Sequence, residues 1–144
     1  MHARTLAAVL LAAWLGLVLN GGAHAADWRS LSTDEGTQAY IDQGSILVDG
    51  STAEALVLVN YSTARTLGDD WFPHRSQVVR YRVACTTGET ALKAWAFRAG
   101  ELGSGATVWK GAQPSPQLGL PAHDSVESRL VARVCSAPQA SLVR

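Results

Sequence analysis

Residues 77–86 carry the sequence QVVRYRVACT, in which the side chains from position 79 onward alternate between two chemical environments. One set is Val79, Tyr81, Val83 and Cys85, and the other set is Arg80, Arg82 and Ala84. Successive side chains of a β-strand point to opposite faces of the sheet. The pattern therefore predicts a strand with one face turned to an apolar core and a cysteine on that inward face.

The sequence on both sides of this strand predicts further strands. Residues 53–61 are apolar on both faces, which is typical of a central strand, and Asp49 and Gly50 before them form a strong hairpin signal. Residues 90–99 alternate again, with Trp95 and Phe97 on the face opposite Leu92, Ala94 and Ala96. Shorter strands are predicted at 28–31, 38–41, 45–48 and 106–110, and irregular loops at 63–75 and 111–121.

The periodicity changes near the C-terminus. Val126, Leu130 and Val134 are spaced by four residues, which predicts a helix. Asp124 and Glu127 resemble a capping box at its start. Strands followed by one late helix predict a single α+β domain, with an antiparallel sheet of about six strands and the helix packed on it.

Cys85 and Cys135 are the two cysteines of the chain. In an oxidising compartment such a pair predicts one disulfide. Structural zinc needs four ligands, and redox motifs place two cysteines close together in sequence, so neither alternative fits. The bridge would tie the helix to the sheet.

Residues 1–25 have the parts of a cleavable secretory signal. His2 and Arg4 give a positive start, an apolar run follows, and Ala23 and Ala25 form a cleavage pattern of small residues. The apolar run is about 14 residues, short of the roughly 20 that a membrane span needs. We expect export, a domain at 26–137, a flexible tail at 138–144 and no later transmembrane segment. Since no cysteine precedes Cys85, we also expect no lipid anchor.

The charge is balanced. The full chain has 12 basic and 12 acidic residues, and loss of Arg4 with the signal leaves 11 and 12, a net charge of −1. This charge gives no reason to expect nucleic acid as a partner.

Residues 123–125, His-Asp-Ser, contain the residue types of a hydrolase triad. Three successive residues cannot adopt triad geometry, so we interpret them as the start of the helix. His74 near Asp69 and Asp70 matches no standard metal-ligand spacing and is interpreted as part of a polar loop. We predict no catalytic residues, no metal and no cofactor.

Two groups of residues are candidates for binding. Arg75, Arg80 and Arg82 could present guanidinium groups to an acidic protein surface or a sulfated polysaccharide, and the alternative is an ordinary solvated sheet face. Trp71 and Phe72 could be exposed aromatic anchors, and the alternative is a loop folded back on its own core.

Several short motifs occur in a distinctive order along the mature chain: Asp27-Trp28, Tyr40-Ile41-Asp42, Ser45-Ile46, Asn60-Tyr61-Ser62, Ser76, the segment 79–85, Gly103-Ser104-Gly105 and Val134-Cys135. In this order and spacing the chain resembles the surface-adhesin protein E family of Gram-negative bacteria. It departs from the family at residues 121–125, Pro-Ala-His-Asp-Ser, where members often have Pro-Gly-Ser before the helix.

The resemblance implies a sheet and C-terminal helix with a PAS-like outline. It also implies a surface role, because studied members bind host extracellular-matrix and serum proteins and form dimers. Neither an enzymatic activity nor a cofactor comes with the family. The hypothesis is therefore a non-enzymatic adhesin in the periplasm or on the outer surface of a Gram-negative cell. The alternative is a periplasmic module that binds a small ligand in a cavity under the helix.

Overall fold

The computed structural model describes residues 25–68 and 72–136. Nearly all of the predicted signal, the tail beyond residue 137 and Trp71 lie outside these residues. The described elements are β1 (Trp28–Asp34), β2 (Thr37–Asp42), β3 (Leu47–Asp49), β4 (Thr52–Arg65), β5 (His74–Ala84), β6 (Glu89–Arg98), β7 (Thr107–Ala112) and α1 (Val126–Ser136), with 3₁₀ turns at Gln43–Ser45 and Glu101–Gly103.

The strands form one antiparallel sheet in the order β1-β2-β4-β5-β6-β7, and β3 pairs with β4 beyond the end of β2. Strand β4 is central, because β2, β3 and β5 all pair with it. The α+β fold with one antiparallel sheet and one C-terminal helix is confirmed. The predicted loop at 63–75 is shorter than expected: β4 continues to Arg65, which pairs with His74 at the start of β5.

One face of the sheet, the helix face, carries α1 and the hydrophobic core. Leu130 and Val134 of α1 are buried against side chains of β2, β4 and β5, among them Ile41, Val57 and Val83. The helix periodicity of the sequence is thus confirmed. Burial of these aliphatic side chains contributes roughly 2 kcal/mol each by the usual transfer estimate, which makes α1 dependent on the sheet for its stability.

The predicted disulfide is confirmed. Cys85, just after β5, is bonded to Cys135 near the end of α1, and their Cα atoms are 5.5 Å apart. A second link joins the other end of the helix to the same strand, since Tyr81 Oη donates to Glu127 Oε1 at 2.8 Å. Burial raises the pKa of Tyr81, so the phenol remains a donor throughout the physiological range.

The start of α1 differs from the predicted capping box. Ser125 caps the helix, because its Oγ accepts from Ser128 N at 3.1 Å. Asp124 lies one residue too early and has a left-handed φ of 57°. The carboxylate of Glu127 is engaged by Tyr81 on the sheet, so a tertiary contact has displaced the local one.

The predicted faces of β6 are correct only on one side of a bulge. Arg80 pairs with Ala94 and Tyr81 pairs with Leu92, so Lys93 is an additional residue in β6. An additional residue reverses the alternation beyond it. Leu92 and Trp95 therefore both pack against the core of the helix face, whereas the sequence pattern placed them on opposite faces.

Strand β7 accommodates Trp95 by means of a glycine. Gly111 pairs with Trp95 across the β6–β7 ladder. A Cβ atom at position 111 would lie 2.3 Å from Cζ2 of the Trp95 ring, well inside van der Waals contact. The ring therefore lies against the backbone of β7, and only glycine leaves it that space.

We predict that reduction of the disulfide destabilises the domain. The bridge joins residues 50 positions apart, and closing such a loop is worth roughly 4 kcal/mol in the chain-entropy model. Urea unfolding of the mature domain with and without reductant should show a loss of this order. The Cys85→Ala/Cys135→Ala variant should be equally destabilised and insensitive to reductant. Two titratable thiols in protein isolated from an oxidising compartment would contradict the prediction.

We also predict that Gly111→Ala destabilises the fold by about 1–3 kcal/mol, because the added methyl group overpacks the Trp95 ring. Gly119→Ala is the matched control, since a Cβ atom there would have no heavy atom within 4 Å. The measurement is the urea midpoint of both variants beside the parent domain. Equal midpoints for the two alanine variants would show that the ring does not need this glycine.

Candidate functional site

The face of β4–β7 opposite the helix, called the open face below, contains a shallow trough. Its volume is about 530 Å³, and it is open to solvent along its length. The residues that line it on this face are Leu56, Val78, Arg80, Ala94, Ala96, Lys110 and Ala112. The strand registers place these residues in two adjacent rows across the sheet.

The floor of the trough is apolar because short side chains occupy it. Ala94, Ala96 and Ala112 contribute only methyl groups, and Leu56 and Val78 complete the lining. The longer side chains of Arg80 and Lys110 arise from the same two rows. The trough is therefore a recess in the sheet surface between side chains that can extend above it.

The 3₁₀ turn Glu101–Gly103 closes one end of the open face. Ser76 Oγ donates to Gly100 O at 2.7 Å and accepts from Gly103 N at 2.9 Å. Asn60 Oδ1 accepts from Leu102 N at 2.7 Å. These two buried side chains hold the turn against the sheet and satisfy its backbone donors. The roles of Asn60 and Ser76, two of the motif residues, are therefore structural.

Four cations of the open face fall into two groups. Arg82 Nη2 and Lys93 Nζ both donate to Glu54 Oε1, at 3.2 and 2.5 Å. The hydrogen bond from Lys93, followed by that from Arg82, holds the pKa of Glu54 below its usual value of 4.5. Arg80 and Lys110, in contrast, form no ion pair or side-chain hydrogen bond with any residue that the structure describes.

The structure separates the three arginines that the sequence grouped. Arg80 and Arg82 lie two residues apart on the open face, as the alternation predicted. Arg75 is held at the far end of β5, where its Nη2 donates to Ser62 O at 2.9 Å and contacts Glu101 Oε1. Five residues of strand place Arg75 roughly 17 Å from Arg80, so it does not extend the same patch.

Trp71 and Phe72 are the aromatic residues that the sequence suggests as exposed anchors. Trp71 is outside the described residues, and Phe72 is 44% exposed with a left-handed φ of 35°. The carbonyl oxygen of Phe72 lies 3.3 Å from His74 Nδ1. Phe72 therefore adjoins His74, which belongs to a row of aromatic rings.

That aromatic row was not anticipated from the sequence. It consists of rings in successive contact: Tyr61, His74, Phe97, Trp109 and Trp95. His74 is only 3% exposed and packs between Tyr61 and Phe97, so its interpretation as a polar-loop residue is wrong. Trp109, at 47% exposure, lies on the edge strand β7 and contacts both Phe97 and Trp95. The pairing of Phe97 with Trp109 across two strands creates the row, and no local pattern encodes that pairing.

The two histidines of the described chain lie in different settings. His74 is buried in the aromatic row, and His123 is exposed and contacts Asp124 at 3.0 Å. No group of three or more histidine, cysteine or carboxylate side chains suited to a metal occurs within residues 25–68 and 72–136. The space between α1 and the sheet is filled by the core side chains, and the trough lies on the other face.

The Glu54 ion pairs make stability depend on pH. Because the folded-state pKa of Glu54 lies below its usual value, the ionised form stabilises the fold at neutral pH, and that contribution is lost as the pH falls through the folded-state pKa. We predict that Glu54→Gln lowers the free energy of unfolding at pH 7 by about 1 kcal/mol, in keeping with partly exposed pairs. The deficit should vanish at acid pH.

Chemical denaturation between pH 7 and pH 3 measures this difference. Glu89→Gln is the control, because Glu89 bonds only to Thr87 in its own turn. A deficit for Glu54→Gln that stays constant over the whole pH range would show that the ion pairs are not its origin.

The fold is shared with solved structures of Haemophilus influenzae protein E. One aligns with a TM-score of 0.54 at 17% identity and covers 75% of this chain and 83% of that chain. Another, of protein E from a non-typeable strain, aligns with a TM-score of 0.52 at 16% identity and covers 74% of each chain. At these identities the similarity establishes the fold. No curated protein matches the sequence.

No helix in the described part of the chain is long and apolar enough to cross a membrane. The sequence matches the family described as surface-adhesin protein E over residues 28–136, which is nearly all of the described domain. The disulfide, the antiparallel sheet and the C-terminal helix agree with that match. The chain belongs to the surface-adhesin protein E family.

Proposed function

We propose that this protein is an exported, non-enzymatic adhesin of the cell envelope, which binds extracellular-matrix or other macromolecular partners. The match to the surface-adhesin protein E family over residues 28–136 carries the proposal. A fold can host several functions, so the argument also needs a surface on which binding could occur.

The open face supplies such a surface. A seven-stranded sheet with one helix leaves most of its second face uncovered. In this protein that face has a recess with an apolar floor and two cations, Arg80 and Lys110, that no described residue neutralises. Cationic residues without internal partners are available to an external one.

The ionisable groups support a binding role over a catalytic one. His74 is enclosed by aromatic rings, and His123 lies in an exposed turn beside Asp124. Glu54, which lies in the row next to the trough, is neutralised by Arg82 and Lys93. Among the described residues, neither histidine contacts a serine, threonine or cysteine side chain, which is the arrangement that activates a nucleophile.

The small-ligand alternative needed a cavity under the helix. Core residues occupy that position, and the recess that is present is shallow and exposed along its length. Small-molecule sites usually enclose most of their ligand, whereas macromolecular contacts are flatter. The shape therefore favours a macromolecular partner.

We predict that the purified mature domain binds at least one of immobilised laminin, vitronectin and heparin. Binding should be saturable, and it should weaken with added salt because exposed cations contribute to it. Surface plasmon resonance at low and physiological salt measures both properties. The reduced and unfolded domain is the control for non-specific adsorption. If the folded domain binds none of the three, the adhesin form of the proposal is contradicted.

An adhesin must also be accessible from outside the cell. Protease treatment of intact cells that express the protein should degrade it, while a periplasmic marker survives. Survival of both proteins on intact cells and degradation of both after outer-membrane permeabilisation would place the domain in the periplasm, against the proposal.

A further inference from the structure

The trough of the open face has a definite size and charge arrangement. It spans β4 to β7, which at the usual strand spacing is roughly 14 Å across the sheet. Arg80 lies on β5 in one row and Lys110 lies on β7 in the next row. The same spacing places their Cα atoms roughly 12 Å apart, at diagonally opposite sides of the alanine floor.

The open face as a whole is positive. Its strand residues in β4–β7 include five cations, Arg80, Arg82, Lys93, Arg98 and Lys110, against two carboxylates, Glu54 and Glu89. Arg98 donates to Gly103 O and contacts Thr107, both of which are uncharged. The mature chain has a net charge of −1, so this excess of three positive charges is a local concentration. A partner of complementary charge is therefore acidic.

The apolar floor of the trough places a second requirement on the partner. The exposed lining of the trough is mostly apolar, and apolar surface that meets a partner is best covered by apolar groups. The alanine floor lies deeper than the ends of the longer Arg80 and Lys110 side chains. A group of the partner must therefore project into the recess to contact the floor. Side chains of a protein segment can do so while neighbouring carboxylates meet the cations.

We propose that the trough of the open face binds a segment of a partner protein in which acidic and apolar side chains are interleaved. The inference rests on the proposed function and names the chemistry of the partner. Alanine at positions 94, 96 and 112 has only a methyl side chain, so a partner backbone can approach the sheet closely there. Arg80 and Lys110 fix its register by ion pairs.

Two other classes of partner fit the trough less well. A sulfated polysaccharide would meet the cations but would leave the apolar floor uncovered. A flat anionic membrane would meet Arg80 and Lys110 first and could not enter the recess between them. Both remain as outcomes that the experiment separates from the proposal.

The test uses the disulfide-bonded mature domain labelled with ¹⁵N. The probe is a short synthetic peptide with glutamates and leucines at helical spacing, and two companion peptides replace either all glutamates by glutamine or all leucines by serine. We expect the first peptide to shift amide signals of β4–β7 on the open face. Both companion peptides should bind at least tenfold more weakly, because each lacks one of the two complementary features.

Matched variants locate the site. Arg80→Gln/Lys110→Gln should weaken peptide binding by about tenfold, the effect of losing two exposed ion pairs. Ala112→Glu should weaken it similarly, by placing a carboxylate at the exposed edge of the trough. Arg129→Gln/Arg133→Gln removes the same charge from exposed positions of α1 and should leave binding unchanged. Unchanged peptide binding in the first two variants, with their folds verified by the same spectra, would overturn the proposal.

Further arms identify the source of any other binding. Signal shifts on the open face with a heparin oligosaccharide and none with the acidic peptide would replace the proposal by a polysaccharide site. Binding only to vesicles that contain anionic lipid would replace it by membrane contact, and no shifts with any probe would also overturn it.

If the domain binds laminin or vitronectin equally well with and without Arg80 and Lys110, the adhesin function stands and this site fails. If the peptide binds as expected but no matrix protein does, the site stands and the adhesin function fails.

Discussion

The contact between α1 and one face of the sheet organises the rest of this domain. Leu130 and Val134 bury their side chains in the core, and the Cys85–Cys135 disulfide prevents the helix from leaving strand β5. At the N-terminal end of the helix, the Tyr81–Glu127 hydrogen bond makes a second attachment to β5. A helix so short has little stability of its own in water, so its attachment and the core depend on each other.

The single helix covers only one face of the sheet. The opposite face must therefore remain stable in contact with water or be covered by other parts of the chain. Close to the 3₁₀ turn Glu101–Gly103, Ser76 and Asn60 bond to the turn and hold it over the sheet. Towards β7 the surface is made of alanines and long cations, which tolerate water without a covering element. The recess lies in the uncovered region, where the short alanine side chains stand between the longer cationic ones.

The motifs that connect the chain with its family are mainly structural. Asn60 and Ser76 anchor the turn, Cys85 and Cys135 form the bridge, and the alternation of β5 fills the core. The fold itself is shared with protein E of Haemophilus influenzae at 17% identity. Arg80 is the exception within the β5 motif, since its side chain forms no ion pair or hydrogen bond with a described residue, while Arg82 two positions away is fixed by Glu54. A side chain that contributes nothing to internal pairing is free to serve an external contact.

The sequence by itself determined the order of the strands, where the helix lies, which cysteines pair and which face of β5 is buried. These properties follow from local periodicity and from the redox chemistry of an even cysteine pair, so they can be derived from residues close together in the chain. Only the tertiary structure decided that Lys93 forms a bulge, that Ser125 and not Asp124 caps α1, and that His74 joins an aromatic row. It also decided that Arg82 is neutralised while Arg80 and Lys110 are not. Those outcomes depend on strand register and on contacts between residues distant in sequence, because a shift of one residue in register moves every side chain beyond it to the other face.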